Sequence, residues 1–401
     1  MVGDGERRIS RGGFSGGIRN LAYDPAARGI ALQILLVLAI AAIGLEIVSN
    51  AVSNLARQGI TSGFGFLNHT SGFDISQKLI AYANTSTYAR AFWVGLLNTL
   101  LVAALGIMLS TVIGFAVGIA RLSSNWLIAR LAGLYVEVLR NIPPLLMLFA
   151  FYFAVLKALP APRESIVLPL SSYLNVRGLT VPKPMLEAGA GYVGIAFVLA
   201  LVLAAIIAGW ARRLQLATGK TFPTLWTGMA LIVFLPAIAF FAAGQPVQFD
   251  TPQLGRFNVM GGLTLLPELV ALTLGLSLYT AAFIAEIVRS GIVGVPKGQK
   301  EASAALGLNE RQTMRLVVIP QAMRIIIPPL TNQYLNLTKN SSLAVAIGYP
   351  DLVSVFAGTV LNQTNQAIEV IVIVMAVYLF ISVVTSLLMN WFNARMALVE
   401  R

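Results

Sequence analysis

The chain has 401 residues, of which 57% are hydrophobic and only 11% charged, a balance outside the range of soluble globular domains, where about 25% of residues are charged. With no cysteine and a single histidine, His69, it excludes disulfide scaffolds, thiol catalysis and Cys/His metal sites. The 28 Lys and Arg residues against 16 Asp and Glu are a topology signal and not a nucleic-acid surface, because what matters in so apolar a chain is which loops carry them.

Residues 1–27 are rich in Gly and Arg and lack helical periodicity. They read as a cytoplasmic tail whose positive charges meet anionic lipid. An uncharged run at 29–45 is followed by Glu46 and a polar loop without a small-residue cleavage site, so it is expected to be an uncleaved span over about 28–50. The Asn-, Ser-, Thr- and Gly-rich stretch at 51–90, with His69, is expected outside.

Further uncharged runs lie at 91–120, 141–156, 188–211, 221–249, 269–285, 325–338 and 370–394. Several reach the roughly 20 residues needed to cross a bilayer. The runs at 141–156 and 325–338 are short and require a terminal charge to snorkel or be buried. The run at 91–120 is long enough to tilt. The expected fold class is therefore all-α and polytopic, with about eight transmembrane helices. The segments 158–188 and 244–263, which mix Pro with polar residues, are expected outside.

Placing the N-terminus in the cytoplasm puts Arg121, Arg130, Arg212, Arg213, Lys220, Lys297, Lys300, Arg311, Arg315 and the basic tail inside. They outnumber Arg57, Lys78, Arg90, Lys157, Arg163, Arg177, Lys183 and Arg256 outside, so both termini are expected to be cytoplasmic.

Within the spans, Gly114 and Gly118 form a GxxxG step for close helix approach, either inside the subunit or across a dimer. Pro143–Pro144 and Pro328–Pro329 break backbone hydrogen bonds and read as fixed kinks, with gating bends the alternative. Glu137 with Arg140, and Glu286 with Arg289, stand three apart and are expected to form structural ion pairs. Lys339, with Asn336, Asn340 and Ser341, interrupts an apolar run with a polar cluster that must face protein or a water-filled cavity. These residues, with Tyr279 and Thr280, are candidates to line a substrate pathway; polar glue between helices is the alternative.

The most hydrophilic internal loop, from Val295, runs VPKGQKEASAALGLNERQTMRLVVIP. It predicts a short helix around Glu301–Leu306, a turn at Gly307 and a second helical stretch. Glu301 is expected in the first turn, where its charge suits the helix dipole. Ala302, Ser303, Ala304 and Ala305 leave a slim surface fit to enter a groove.

This loop resembles the EAA coupling loop of bacterial ABC importer permeases through Glu301, Ala302, Gly307 and Pro320. Ser303 stands where a second Ala is usual, and Ile319 where Leu is commoner. The flanks LSLYTAAFIAEIVRSGIVGVPKGQ and PQAMRIIIPPLTNQYLNLTKNSSLA, and the earlier GLLNTLLVAALGIMLSTVIGFAVGIAR and YVEVLRNIPPLLMLFAFYF, are similar to the polar amino-acid uptake branch.

The resemblance implies a five-helix importer core at 91–395, an extra N-terminal helix, and an insertion at about 158–262 carrying two further helices. Such enlarged permeases serve general L-amino acids, or glutamate, glutamine, aspartate and asparagine. It also implies ATPase coupling through Glu301, Ala302, Ser303, Gly307, Leu308 and Pro320 of a loop at 295–320. The implied partners are an ABC ATPase dimer, a second homologous permease, a periplasmic amino-acid-binding protein, an L-amino-acid substrate and the bacterial inner membrane. No catalytic or metal residue is expected, and ATP and Mg²⁺ belong to the partner ATPase: Gly219-Lys220-Thr221 resembles the end of a phosphate loop, but Leu214 stands where its first Gly belongs. A secondary amino-acid transporter is the alternative, although the paired broken helices of such folds are not apparent. A membrane enzyme would need a convergent acid–base set that the chain lacks.

Overall fold

A computed structural model describes residues 25–57, 63–256 and 258–396. Most of the expected N-terminal tail lies outside the described residues. Seven helices among these are long and apolar enough to cross a membrane, and an eighth crossing arises if one bent pair counts as a single span.

Helix α1 (Pro25–Arg57) is followed by a segment packed around Phe66, Ile75 and Tyr82. Helix α2 (Tyr88–Ala120) starts at Thr87, whose side chain caps the backbone N–H of Arg90. Helix α3 (Trp126–Asn141) starts at Asn125, whose carbonyl oxygen accepts from the N–H groups of Leu127 and Ile128 at 3.0 and 3.3 Å, a cap that satisfies donors left orphaned by the first turn.

The third expected crossing is not one straight helix. Ile142 is extended, as a residue before proline prefers, and α4 (Pro144–Ala158) leaves α3 at 109°. The other short run, 325–338, lies inside a continuous helical stretch over Glu310–Ile347. The place of the proline pair differs between the two: Pro143 and Pro144 stand at the start of α4, whereas Pro328 and Pro329 lie within a helix that carries on.

Beyond α4 the chain forms strands β1 (Ile166–Leu168), β2 (Ser172–Asn175), β3 (Gly178–Val181) and β4 (Lys183–Leu186) before helices α5 (Ala190–Thr218) and α6 (Thr224–Ala242). It returns through β5 (Val247–Asp250), β6 (Gln253–Leu254), β7 (Val259–Met260) and β8 (Leu263–Leu265). Antiparallel pairing joins β4 to β5 and β3 to β8, so both ends of the inserted helix hairpin are stitched together outside it.

Helix α7 (Pro267–Val293) is the centre of the molecule. Of the residues in its apolar stretch 61% are buried, against 28% for α2, 11% for the last span (Ala367–Ala394), 6% for α5 and none for α1 or α6. The GxxxG step is used inside the subunit. A Cβ at Gly114 would meet Ile284 and the Ala281 carbonyl, and one at Gly118 would lie 2.8 Å from the Ala285 carbonyl and the Val288 side chain, so α2 and α7 touch nearly backbone to backbone.

After α7 come α8 (Lys297–Ala305) and α9 (Glu310–Thr313). A wide turn over Met314–Val318 leads into α10 (Ile319–Asn340), and a tight one over Ser341–Ile347 follows it. The chain closes with a second wide turn (Ser354–Val360), α11 (Leu361–Thr364) and α12 (Ala367–Met396).

Between the last two spans, buried Asp351 accepts the N–H of Ser354 at 2.8 Å and faces the Tyr378 hydroxyl of α12 at 3.3 Å. Burial pushes its carboxyl up to about 7. Beside it Asn98 of α2 donates to the Pro350 carbonyl, and the Thr99 hydroxyl accepts from the N–H of Leu352. These bonds tie the segment between the last two spans to α2 and α12.

Candidate coupling loop and polar face

The loop between α7 and α10 is a compact two-armed unit. Pro296 starts α8, so Glu301 stands in the second turn of that helix and not, as expected, in the first. Its carboxylate is therefore exposed on the flank of α8 and not placed over the orphan N–H groups. Ala302, Ala304, Ala305 and Leu306 are exposed with it.

Ser303 alone on α8 turns inward. It is 2% exposed, and its hydroxyl donates to the Lys300 carbonyl at 2.7 Å and meets the Thr313 hydroxyl at 3.0 Å. Gly307 has φ +76°, the left-handed conformation that ends α8 at no steric cost. Its N–H and that of Leu308 return to the carbonyls of Ala304 and Ser303. Asn309 and Gln312 then form a reciprocal capping box that starts the second arm.

That arm does not stop at the membrane. The N–H of Ile319 reaches back to the Met314 carbonyl, one residue further than in a regular helix, and this wide turn admits Pro320, which has no N–H to offer Leu316. Buried Val295 and Val318 pack in the same cluster as Ile284 and Ile326, and Gln321 donates to Gln299 at 3.2 Å, fastening α8 to the foot of α10.

At the other end, α10 contributes to a polar cavity of about 280 Å³ lined by Tyr279, Thr280, Gln333, Asn336, Asn340 and Pro144. Phe283 borders it and also a second cavity of about 290 Å³, which holds Arg121, Glu137, Arg140, Asn141 and Glu286. Tyr279, Phe283 and Glu286 are spaced i, i+4 and i+7, so one face of α7 runs past both.

Of the pathway candidates, Tyr279, Thr280, Asn336 and Asn340 come together, and two do not join them. Ser341 is fully buried and donates to the Thr338 carbonyl at 2.7 Å. Lys339 lies outside the cavity, exposed in line with Pro328, Asn332 and Asn336. Gln333, which lines the cavity, was missed, although helical spacing from Asn336 and Asn340 points to it.

The expected Glu137–Arg140 pair does not form. Asn141 bonds the Glu137 carbonyl, while the Arg140 guanidinium lies 5.3 Å from the Phe283 ring, a cation–π contact. Glu286 accepts from Arg289 at 2.6 Å and is also bridged by Arg121 from α2, so one carboxylate balances two guanidinium groups where α2 meets α7. Among the described residues no group of three or more His, Cys, Asp or Glu side chains is placed to hold a metal ion.

The model of the family described as "Binding-protein-dependent transport system inner membrane component" matches residues 216–398. The general L-amino acid transport system permease protein AapQ of Rhizobium johnstonii is 58% identical over 96% of this chain and 96% of its own length. The putative amino-acid ABC transporter permease protein YhdX of Escherichia coli is 52% identical over 94% and 96%. The glutamate/glutamine/aspartate/asparagine transport system permease protein BztB of Rhodobacter capsulatus is 40% identical over 95% and 96%. These matches leave the secondary-transporter alternative without support. The chain belongs to the amino-acid permease branch of the binding-protein-dependent, ABC-type inner-membrane transport components.

Proposed function

We propose that this chain is one permease subunit of an ATP-driven importer that carries L-amino acids across the bacterial inner membrane, with both termini cytoplasmic. The observation that carries the reading is mechanical. The second arm of the coupling loop continues through the turn at Met314–Val318 into α10, whose far end presents Asn336 and Asn340 to the polar cavity. From Glu310 to Asn340 this rod is about 45 Å long at 1.5 Å per residue.

An ATPase dimer, which supplies ATP and Mg²⁺, docks on the exposed Glu301, Ala302 and Leu306 side of α8, with Ser303, Gly307, Leu308 and Pro320 holding the loop's shape. Closure of that dimer displaces α8, and the Gln299–Gln321 and Ser303–Thr313 contacts pass the movement to α10. The amides, the hydroxyl groups and Tyr279 around the cavity suit the ammonium and carboxylate of an amino acid.

The exposed row Pro328, Asn332, Asn336 and Lys339 is too polar to face lipid. A second, homologous permease covers it, and a periplasmic binding protein delivers substrate from outside. The test is copurification of the tagged chain from mildly solubilised membranes, followed by ATP hydrolysis with binding protein and candidate amino acids. An ATPase and a second permease should be recovered, with hydrolysis stimulated by loaded binding protein. Recovery of the chain alone, indifferent to ATP, would overturn the proposal.

A further inference from the structure

An apolar cavity of about 600 Å³ lies where the coupling arm enters the membrane. It is bounded by Phe115 and Ile119 of α2, Ile128 of α3, Ile292 of α7, and Met314 and Met323 on the arm and α10. Ser123, in the turn between α2 and α3, is the one polar side chain among the described residues that line it. Its size is that of a small-molecule site, and its lining lacks the convergent polar groups that would orient a polar ligand.

The cavity opens toward lipid and away from the partner permease. At about 100° per residue, Ile319, Ala322, Met323 and Ile326 cluster on one side of α10, and the exposed polar row Pro328, Asn332, Asn336 and Lys339 is centred about 135° away from it. A second permease that covers the polar row leaves this side to the bilayer. The depth is that of the headgroup boundary, because α2 ends at Ala120 just before Arg121, and Arg315 stands one turn before Ile319.

We infer that this cavity is a binding site for one acyl chain of a phospholipid from the cytoplasmic leaflet, seated between the α2–α3 turn and the coupling arm. The acyl chain makes contacts on both sides of the cavity, and the headgroup stays at the level of Ser123, whose hydroxyl accepts from the N–H of Asn125 at 3.2 Å. The orientation and the arm rest on the function proposed above. The site itself is read from its lining, and a lipid measurement tests it whether or not transport is coupled as proposed.

The full transporter is reconstituted in nanodiscs containing phosphatidylglycerol with a diazirine near the chain end, exchanged into detergent to strip bulk lipid, and photolysed. Label is expected to persist on peptides holding Phe115, Ile119 and Met323 and to vanish from the exposed α5 face at Leu201 and Ile206, with about tenfold more label at the cavity, equal to about 1.4 kcal/mol of preferential retention. Ala322→Phe, which fills the cavity from within, and Ile319→Phe, at its exposed rim, should each remove the cavity label. Loss of label from both regions alike, or retention of the cavity label in both variants, overturns the inference. Retention of a diazirine fatty acid in place of the phospholipid overturns its headgroup half.

Discussion

The hydroxyl groups of Ser303 and Thr313 meet at 3.0 Å across the turn at Gly307, joining the two arms of the coupling loop by a contact that an alanine cannot make. Ser303→Ala should cost about 1 kcal/mol, the usual net worth of such a bond, and leave uptake within a fewfold of wild type. Ser303→Leu forces bulk into a site that is 2% exposed, costs about 1–3 kcal/mol, and should lower uptake about tenfold while the protein still inserts. Uptake in membrane vesicles, set against immunoblotted protein, checks both; wild-type transport by the leucine variant would show that the arms move independently.

Glu301→Lys and Gly307→Pro should abolish ATP-linked uptake by different routes. Glu301 is exposed, so the first change reverses a charge at the proposed docking surface without a packing cost. Gly307 has φ +76°, which proline, fixed near −65°, cannot adopt, so the second misdirects the second arm. Reconstituted transport with normal insertion is the measurement, and normal uptake in both variants would remove the loop from the coupling step.

Gly118→Val should loosen the core. Its Cβ would stand 2.8 Å from the Ala285 carbonyl and the Val288 side chain, and relief by helix separation costs about 1–3 kcal/mol. Gly133→Ala meets nothing within 4 Å and serves as the control. Thermal unfolding in detergent should drop by several degrees for the first and stay unchanged for the second.

Asp351 predicts a pH dependence of definite sign. Its carboxyl titrates at about 7 when folded, against an ordinary value of 3.8, so the folded state binds this proton more tightly. The resulting stability is complete below the ordinary value and is lost as pH rises through the folded one. Across the window from about 4 to 7 the loss is at most about 1.4 kcal/mol per unit. Asp351→Asn keeps an acceptor for the Ser354 N–H and removes the charge, so its unfolding midpoint should gain on wild type as pH rises through that window. Parallel midpoint curves would show that Asp351 does not titrate there.

The membrane helices were legible because charge spacing reports burial in lipid directly, and Gly114 and Gly118 announced a close approach whose partner, α7, no single chain segment names. The break between α3 and α4 was harder to see: both proline pairs look alike in sequence, and only packing decides that Pro143–Pro144 turns the chain while Pro328–Pro329 stays helical. The strands at 166–186 and 247–265 are two to four residues long, too short for alternation to register. Glu137 and Arg140 misled because spacing along one helix ignores neighbours across it. Phe283 takes Arg140, and Glu286 is shared between Arg289 of its own helix and Arg121 from α2.

The pairing of Lys183 with Asp250 across β4 and β5 has a bearing on how such a chain can change over time. The polypeptide leaves and re-enters the core at positions roughly 5 Å apart, the spacing of residues opposite one another in an antiparallel pair. Everything between them, including α5 and α6, hangs from that one doorway and buries almost none of its own surface against the importer core. A short turn closing that doorway is therefore compatible with α2, α7 and α10 staying in register.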